Sequence, residues 1–183
     1  YEPGSTFKVI AISGALNEGI VQPDTEFDCE NGAWDYAGKV LKDVHGYGIL
    51  PVADIVKKSS NIGTAKIALG LGKRRYYDYL KRYGLGARTG IDLPGEEVGI
   101  LRSPDTWGDV DLTRMAMGQS ISVTAVQVVN LFCAIANDGF LMRPYCVKKV
   151  SRGNGEVLYQ GQPEVIGRPI SQQTARTMRD MLR

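Results

Sequence analysis

The chain has one histidine, His45, and three cysteines, Cys29, Cys133 and Cys146, scattered across 183 residues. No two of these four share the short spacing of a metal-ligand pair, which argues against a structural zinc site. An odd number of cysteines does not make a closed disulfide framework. Each is expected to be a small buried or half-buried side chain, and the redox compartment stays unread. An excess of one charge is also lacking: 22 basic residues face 20 acidic ones, a net charge of +2. That excludes the basic stripe on which nucleic-acid binding rests. Long hydrophobic runs are missing too. The longest, Ile121 to Ala136, is interrupted by Ser122, Thr124, Gln127 and Asn130 and falls short of the roughly twenty residues needed to span a bilayer. It is expected to form a buried core helix. There is no signal-peptide pattern, and Tyr1-Glu2-Pro3-Gly4 does not have the look of a natural start, so the chain is expected to be a piece of something larger.

What is present suffices for one core: 43% of the residues are hydrophobic, and a single domain is expected. After the loop signal Pro3-Gly4, a helix is predicted from Ser5 to Asn17, apolar on nearly every side and therefore central. Residues 21 to 50, rich in Gly, Asp and Pro, read as irregular loop with short extended pieces. Pro51 is expected to open a helix to Lys58. Ser59-Ser60-Asn61 interrupts it, a second helix follows from Ile62 to Leu69, and Gly70 and Gly72 close that one. Further helices are predicted over residues 73–83 and 124–137. Asn154-Gly155 signals a two-residue hairpin between residues 145–150 and 156–159. Ser171 is placed to cap a last helix reaching Arg183.

The chemical anomaly lies in the first helix. Between Ser5 and Asn17 the only charge is Lys8, three positions from Ser5 and so on the same helical face. Ser5 stands at the helix start, where unpaired backbone N–H groups favour a developing oxyanion. Burial disfavours a charged lysine, which would turn Lys8 into a base able to activate a serine. A Ser-x-x-Lys match is common by chance, and a lysine often snorkels from an apolar helix to water. A Ser-Ser-Asn triplet between helices is equally at home as a polar cap.

Context decides between these readings. The segment Tyr1-Glu2-Pro3-Gly4-Ser5-Thr6-Phe7-Lys8 resembles the nucleophile segment of class B penicillin-binding proteins. Ser59-Ser60-Asn61-Ile62-Gly63 is similar to the family's second motif. Three more stretches resemble class B segments in the same order: Thr89 to Glu96, Met117 to Thr124, and Ala136-Asn137-Asp138-Gly139 with Pro144 behind it. The resemblance implies an α+β chain, the helix-rich lobe of the serine β-lactamase/D,D-transpeptidase fold with a peripheral β-hairpin. Most of the central sheet would lie outside the chain, leaving one flank of the first helix open to water. It implies Ser5 as nucleophile, Lys8 as its base, Ser59 as proton relay to the leaving group, and Asn61 as a substrate-binding amide that also touches Lys8. The Ser5 backbone N–H would supply half of an oxyanion hole. Substrates would be peptidoglycan stem peptides ending in D-Ala-D-Ala, with β-lactam antibiotics as acylating inhibitors. No cofactor is implied. The protein containing the chain would work at the outer face of the bacterial inner membrane, with cell-wall synthesis partners.

The chain departs from the family pattern in places. Ser120 stands where the family often has Gly, and Ala125 where Pro is frequent. The third family motif, Lys-Thr-Gly, occurs nowhere. The resemblance therefore covers a single partial transpeptidase domain over residues 1–183, inactive by itself. A serine β-lactamase or sensor would need family segments that are not matched here. A catalytically dead scaffold would have no chemical reason to keep Ser5, Lys8, Ser59 and Asn61.

Overall fold

A computed structural model describes residues 1–183. Its first helical segment starts as a 3-10 turn, Gly4–Phe7, and passes directly into α1 (Lys8–Asn17). Four short strands follow: β1 (Glu26–Asp28), β2 (Ala33–Tyr36), β3 (Lys39–Lys42) and β4 (Ile49–Pro51). β1 pairs with β4, and the β2–β3 hairpin projects from between them. That hairpin turns at Ala37-Gly38, both at positive φ, the geometry of a tight two-residue turn. Its register sets Trp34 opposite Leu41, and the rings of Trp34 and Tyr36 lie 4.8 Å apart.

Pro51 precedes α2 (Val52–Lys58) as its extended N-cap rather than as its first helical residue. α3 (Asn61–Leu71) is capped by Ser60, whose hydroxyl accepts from the Gly63 N–H. It runs through Gly70, where an end was expected, and stops only at Gly72, because Gly70 packs loosely and keeps ordinary helical angles while Gly72 turns to φ 86°. α4 (Lys73–Arg82) buries Tyr76, Tyr79 and Leu80 and turns its basic residues outward. α5 (Asp111–Ala116) had no expected counterpart; it is short and begins after a Gly-Asp turn. α6 (Ala125–Ala136) opens with a capping box between Thr124 and Gln127.

The remaining strands are β5 (Leu141–Met142), β6 (Lys149–Ser151), β7 (Val157–Gln160) and β8 (Val165–Gly167). β6 pairs with β7 as the expected hairpin, but through a five-residue loop closed by the Arg152 N–H on the Glu156 carbonyl at 2.8 Å. Asn154 does not turn the chain with Gly155; its side chain accepts from the Glu156 N–H. α7 (Gln172–Met181) is capped by Ser171 as predicted. All strands sit in two-stranded antiparallel pairs, and the chain is helix-rich α+β, as expected.

The core is organised around α1. Every residue from Lys8 to Ala15 is buried, with α3, α4 and α7 packed about it. Phe7, Ile10 and Ile12 are essentially fully buried, each contributing about 1.5–3 kcal/mol of apolar transfer. Gly14 makes the closeness possible: a β-carbon there would stand 3.0 Å from both Leu71 and Tyr79. α7 is tied to the end of α1 by Asn17, whose side-chain oxygen accepts from Ser171 N at 2.8 Å and Thr174 Oγ1 at 3.1 Å. The expected open flank on the first helix is therefore absent, because three helices enclose it. Exposed apolar surface lies instead on α6, which is not a fully buried helix: Val129 is 62% exposed. Of the cysteines only Cys29 is buried; Cys133 rides the open face of α6 and Cys146 an exposed loop.

Candidate active site

Ser5 is exposed on the 3-10 turn, as its second residue, where a backbone N–H has no partner within the turn. Lys8 follows one turn later as the first residue of α1 and is 4% exposed. Burial lowers its ammonium pKa from 10.5 to about 8, against the pull of the nearby Asp43 carboxylate, which raises it. Its Nζ donates to the Ser59 carbonyl oxygen and to Ser59 Oγ, the latter at 2.9 Å.

Ser59 can serve Lys8 twice because of its backbone. It closes α2 in the left-handed conformation, φ 55° and ψ 43°, a place usually given to glycine. This costs a serine on the order of 1 kcal/mol and turns carbonyl and hydroxyl together toward Lys8. The next residue, Ser60, caps α3, so the triplet forms the joint between two helices.

Asn61 does not touch Lys8, contrary to expectation. Its side-chain amide donates to the Lys42 carbonyl oxygen at 2.7 Å, at the end of β3, while both hydrogen bonds of the Lys8 amine go to Ser59. The residue that holds this joint was missed by sequence reasoning. Asp43 Oδ2 accepts from Ser60 Oγ at 2.6 Å, while Oδ1 accepts from the backbone N–H of Asn61 and, at 3.1 Å, of Ile62. A carboxylate at the start of α3 satisfies free N–H groups and complements the helix dipole. No local spacing announces a cap supplied from eighteen residues upstream.

The nucleophile turn is fastened by a segment more than a hundred residues further along the chain. Gly4 N donates to Gly118 O at 3.0 Å, and Glu2 Oε1 accepts from Ser120 N at 2.8 Å. Tyr1 and Val123 exchange both backbone hydrogen bonds, each 3.0 Å. Ser120, the departure from the family's glycine, sits at φ 59°.

Two clefts meet at Ser5. One, of about 270 Å³, brings Ser5, Lys8 and Ser59 together against Ile12 and Phe132. The other, of about 360 Å³, is lined by Ser5 and Asn61. An exposed hydroxyl, a buried amine of lowered pKa and a second hydroxyl bonded to it can carry out acyl transfer at a serine.

The whole chain, residues 1–183, matches the family model described as the penicillin binding protein transpeptidase domain. It is 36% identical over 185 residues to penicillin-binding protein PbpB of Mycobacterium tuberculosis, covering all of this chain and 27% of that protein. It is 31% identical over 150 residues to peptidoglycan D,D-transpeptidase FtsI of Escherichia coli (strain K12), covering 82% of this chain and 25% of FtsI. Among solved structures, penicillin binding protein 3 from Mycobacterium tuberculosis, complexed with ampicillin, superposes with a TM-score of 0.90 at 35% identity, over all of this chain and 40% of that one. The chain thus spans about a quarter of the length of the curated relatives it matches.

Proposed function

This chain belongs to the class B penicillin-binding protein transpeptidase family, and from that membership we propose that it carries the acylation machinery of a peptidoglycan D,D-transpeptidase. The observation that carries the reading is the pairing of exposed Ser5 with buried Lys8 in one cleft, with Ser59 hydrogen-bonded to the amine.

A neutral lysine amine has two N–H donors and one lone pair. Both donors go to Ser59, so the lone pair is free to take the Ser5 hydroxyl proton. Ser5 Oγ then attacks the carbonyl of the penultimate D-Ala of a stem peptide. The charge that develops on the carbonyl oxygen is met by the Ser5 backbone N–H, a type of donor worth about 3 kcal/mol. As the peptide C–N bond breaks, Ser59 passes its proton to the departing D-Ala amine and recovers one from Lys8. An ester on Ser5 remains, and the amine of a second stem peptide displaces the serine to form the cross-link. With a β-lactam, the same attack opens the ring amide and the ester stays on Ser5. Asn61 offers its amide to the backbone of the bound donor. Support for these substrates comes from the names and ligand of the relatives: FtsI is a peptidoglycan D,D-transpeptidase, and the mycobacterial structure holds ampicillin.

On the same reading, the full-length protein containing this sequence works with cell-wall synthesis partners at the outer face of the bacterial inner membrane. No helix described here is long and apolar enough to cross a membrane. The 183-residue chain alone, without Lys-Thr-Gly, is expected to react with penicillin at least about a hundredfold more slowly than the full-length protein, the cost of one missing oxyanion donor. The test is mass spectrometry of tryptic peptides after labelling the full-length protein with penicillin. Label at Ser5, absent in Ser5→Ala, is expected. Label on another serine, or label retained in the variant, overturns the assignment.

A further inference from the structure

The two clefts at Ser5 differ in character. The one shared with Lys8 has apolar walls, including Val9, Ile12 and Phe132. The other holds Lys42 and Arg114 beside Ser5, Asn61 and Gln119, and no carboxylate lines it. Its cations come from separate elements, Lys42 from the end of β3 and Arg114 from α5. Neither is engaged in any ion pair of the chain. Arg114 reaches the side-chain oxygen of Gln119 at a long 3.5 Å. The carboxylates nearest in sequence to the two cations are both engaged elsewhere: Asp43 accepts from Ser60, Asn61 and Ile62, and Asp111 pairs with Arg102 and accepts from the Gly108 N–H.

Two uncompensated positive charges on opposing elements beside a nucleophile give that side of the site a field that favours an anion. We propose that Lys42 and Arg114 form an anion-reading subsite that selects acyl donors carrying a carboxylate on the portion lying over this cleft. The proposal rests on the assignment of Ser5 as nucleophile. It adds a specificity to that chemistry: of two donors equal at the reacting amide, the one with the extra carboxylate is captured faster, and salt erodes the difference.

Benzylpenicillin and carbenicillin test this, since they differ by one carboxylate on the side chain. The quantity read is the ratio of their second-order rate constants for acylation, carbenicillin over benzylpenicillin, in the full-length protein. Arg114→Gln and Lys42→Gln are each expected to lower the ratio about fivefold, the scale of one partly exposed charge contact. Arg114→Lys should keep most of it, and raising salt in the unmodified protein should lower it. Arg74→Gln, a change at an exposed residue paired with Asp105, is the control that leaves the ratio in place. If Arg114→Gln does not fold, Lys42→Gln on the exposed edge of β3 decides the matter. A ratio unmoved by the Gln variants and by salt overturns the subsite while leaving the nucleophile assignment standing. Failure of both penicillins to label Ser5 in the unmodified protein overturns that assignment and the subsite with it.

Discussion

Gly118 lies so close to Gly4 that a β-carbon on it would stand 2.1 Å from the Gly4 carbonyl oxygen. Gly118 is also at φ 76°, so the contact and the backbone both require glycine. Gly118→Ala must push the nucleophile turn aside, and acylation of Ser5 is expected to fall about a hundredfold, as small misplacements of reacting groups do. Gly19, at φ 68° with nothing near it, is the comparison. Gly19→Ala should cost stability of similar backbone origin and leave the acylation rate close to that of the unmodified protein. Stopped-flow labelling with a fluorescent penicillin measures both.

Lys8 should set the pH dependence. With its pKa lowered to about 8, acylation is expected to rise about tenfold per pH unit up to that value and level off above it. Lys8→Arg should abolish the reaction, because guanidinium keeps its proton at any usable pH. The same shift has a stability signature. Between about 8 and 10.5 the unfolded chain holds the Lys8 proton that the folded chain has released, so this group's contribution to stability rises with pH across that window. Urea unfolding at pH 8 and pH 10, compared with Lys8→Met, isolates it.

Asp43 has two separable effects. Asp43→Ala removes the acceptor for Ser60, Asn61 and Ile62 and is expected to cost about 2 kcal/mol. Asp43→Asn keeps an acceptor oxygen and should retain most of that stability. It removes the charge that raises the Lys8 pKa, so the rise of acylation should move to lower pH. A pH profile of unchanged midpoint in Asp43→Asn would show that the carboxylate acts on the joint alone.

The two departures from the family pattern predict stabilising changes. Ser120→Gly relieves a left-handed serine and should gain up to about 1 kcal/mol. Ala125 is the first residue of α6, behind an extended Thr124, where proline fits without loss of a hydrogen bond. Ala125→Pro should gain about 0.5–1 kcal/mol. Each is expected to raise the melting temperature by a few degrees, read by calorimetry.

What the sequence made legible follows from how local each signal is. Apart from α5, the helices announced themselves through apolar spacing and the turn residues around them, and Ser171 was legible as the cap of α7. Lys8 stood out because one charge in an apolar helix is conspicuous in one dimension. The β2–β3 hairpin did not, since Trp34, Tyr36 and Leu41 are interleaved with charges and glycines typical of loops. Asp43 and the missing contact between Asn61 and Lys8 depend on where that hairpin folds back, a long-range fact with no local trace. The open face of α6 was hidden for a related reason: a run of apolar residues does not say which side finds a partner.

The pairing of Tyr1 with Val123 has a consequence in time. The residues that hold the Ser5 turn, Gly118, Ser120 and Val123, leave the ribosome more than a hundred residues after Ser5 itself. At a synthesis rate of about 5–20 residues per second, the serine waits on the order of ten seconds before its frame can close. The nucleophile is thus made well before the segment that fixes its turn.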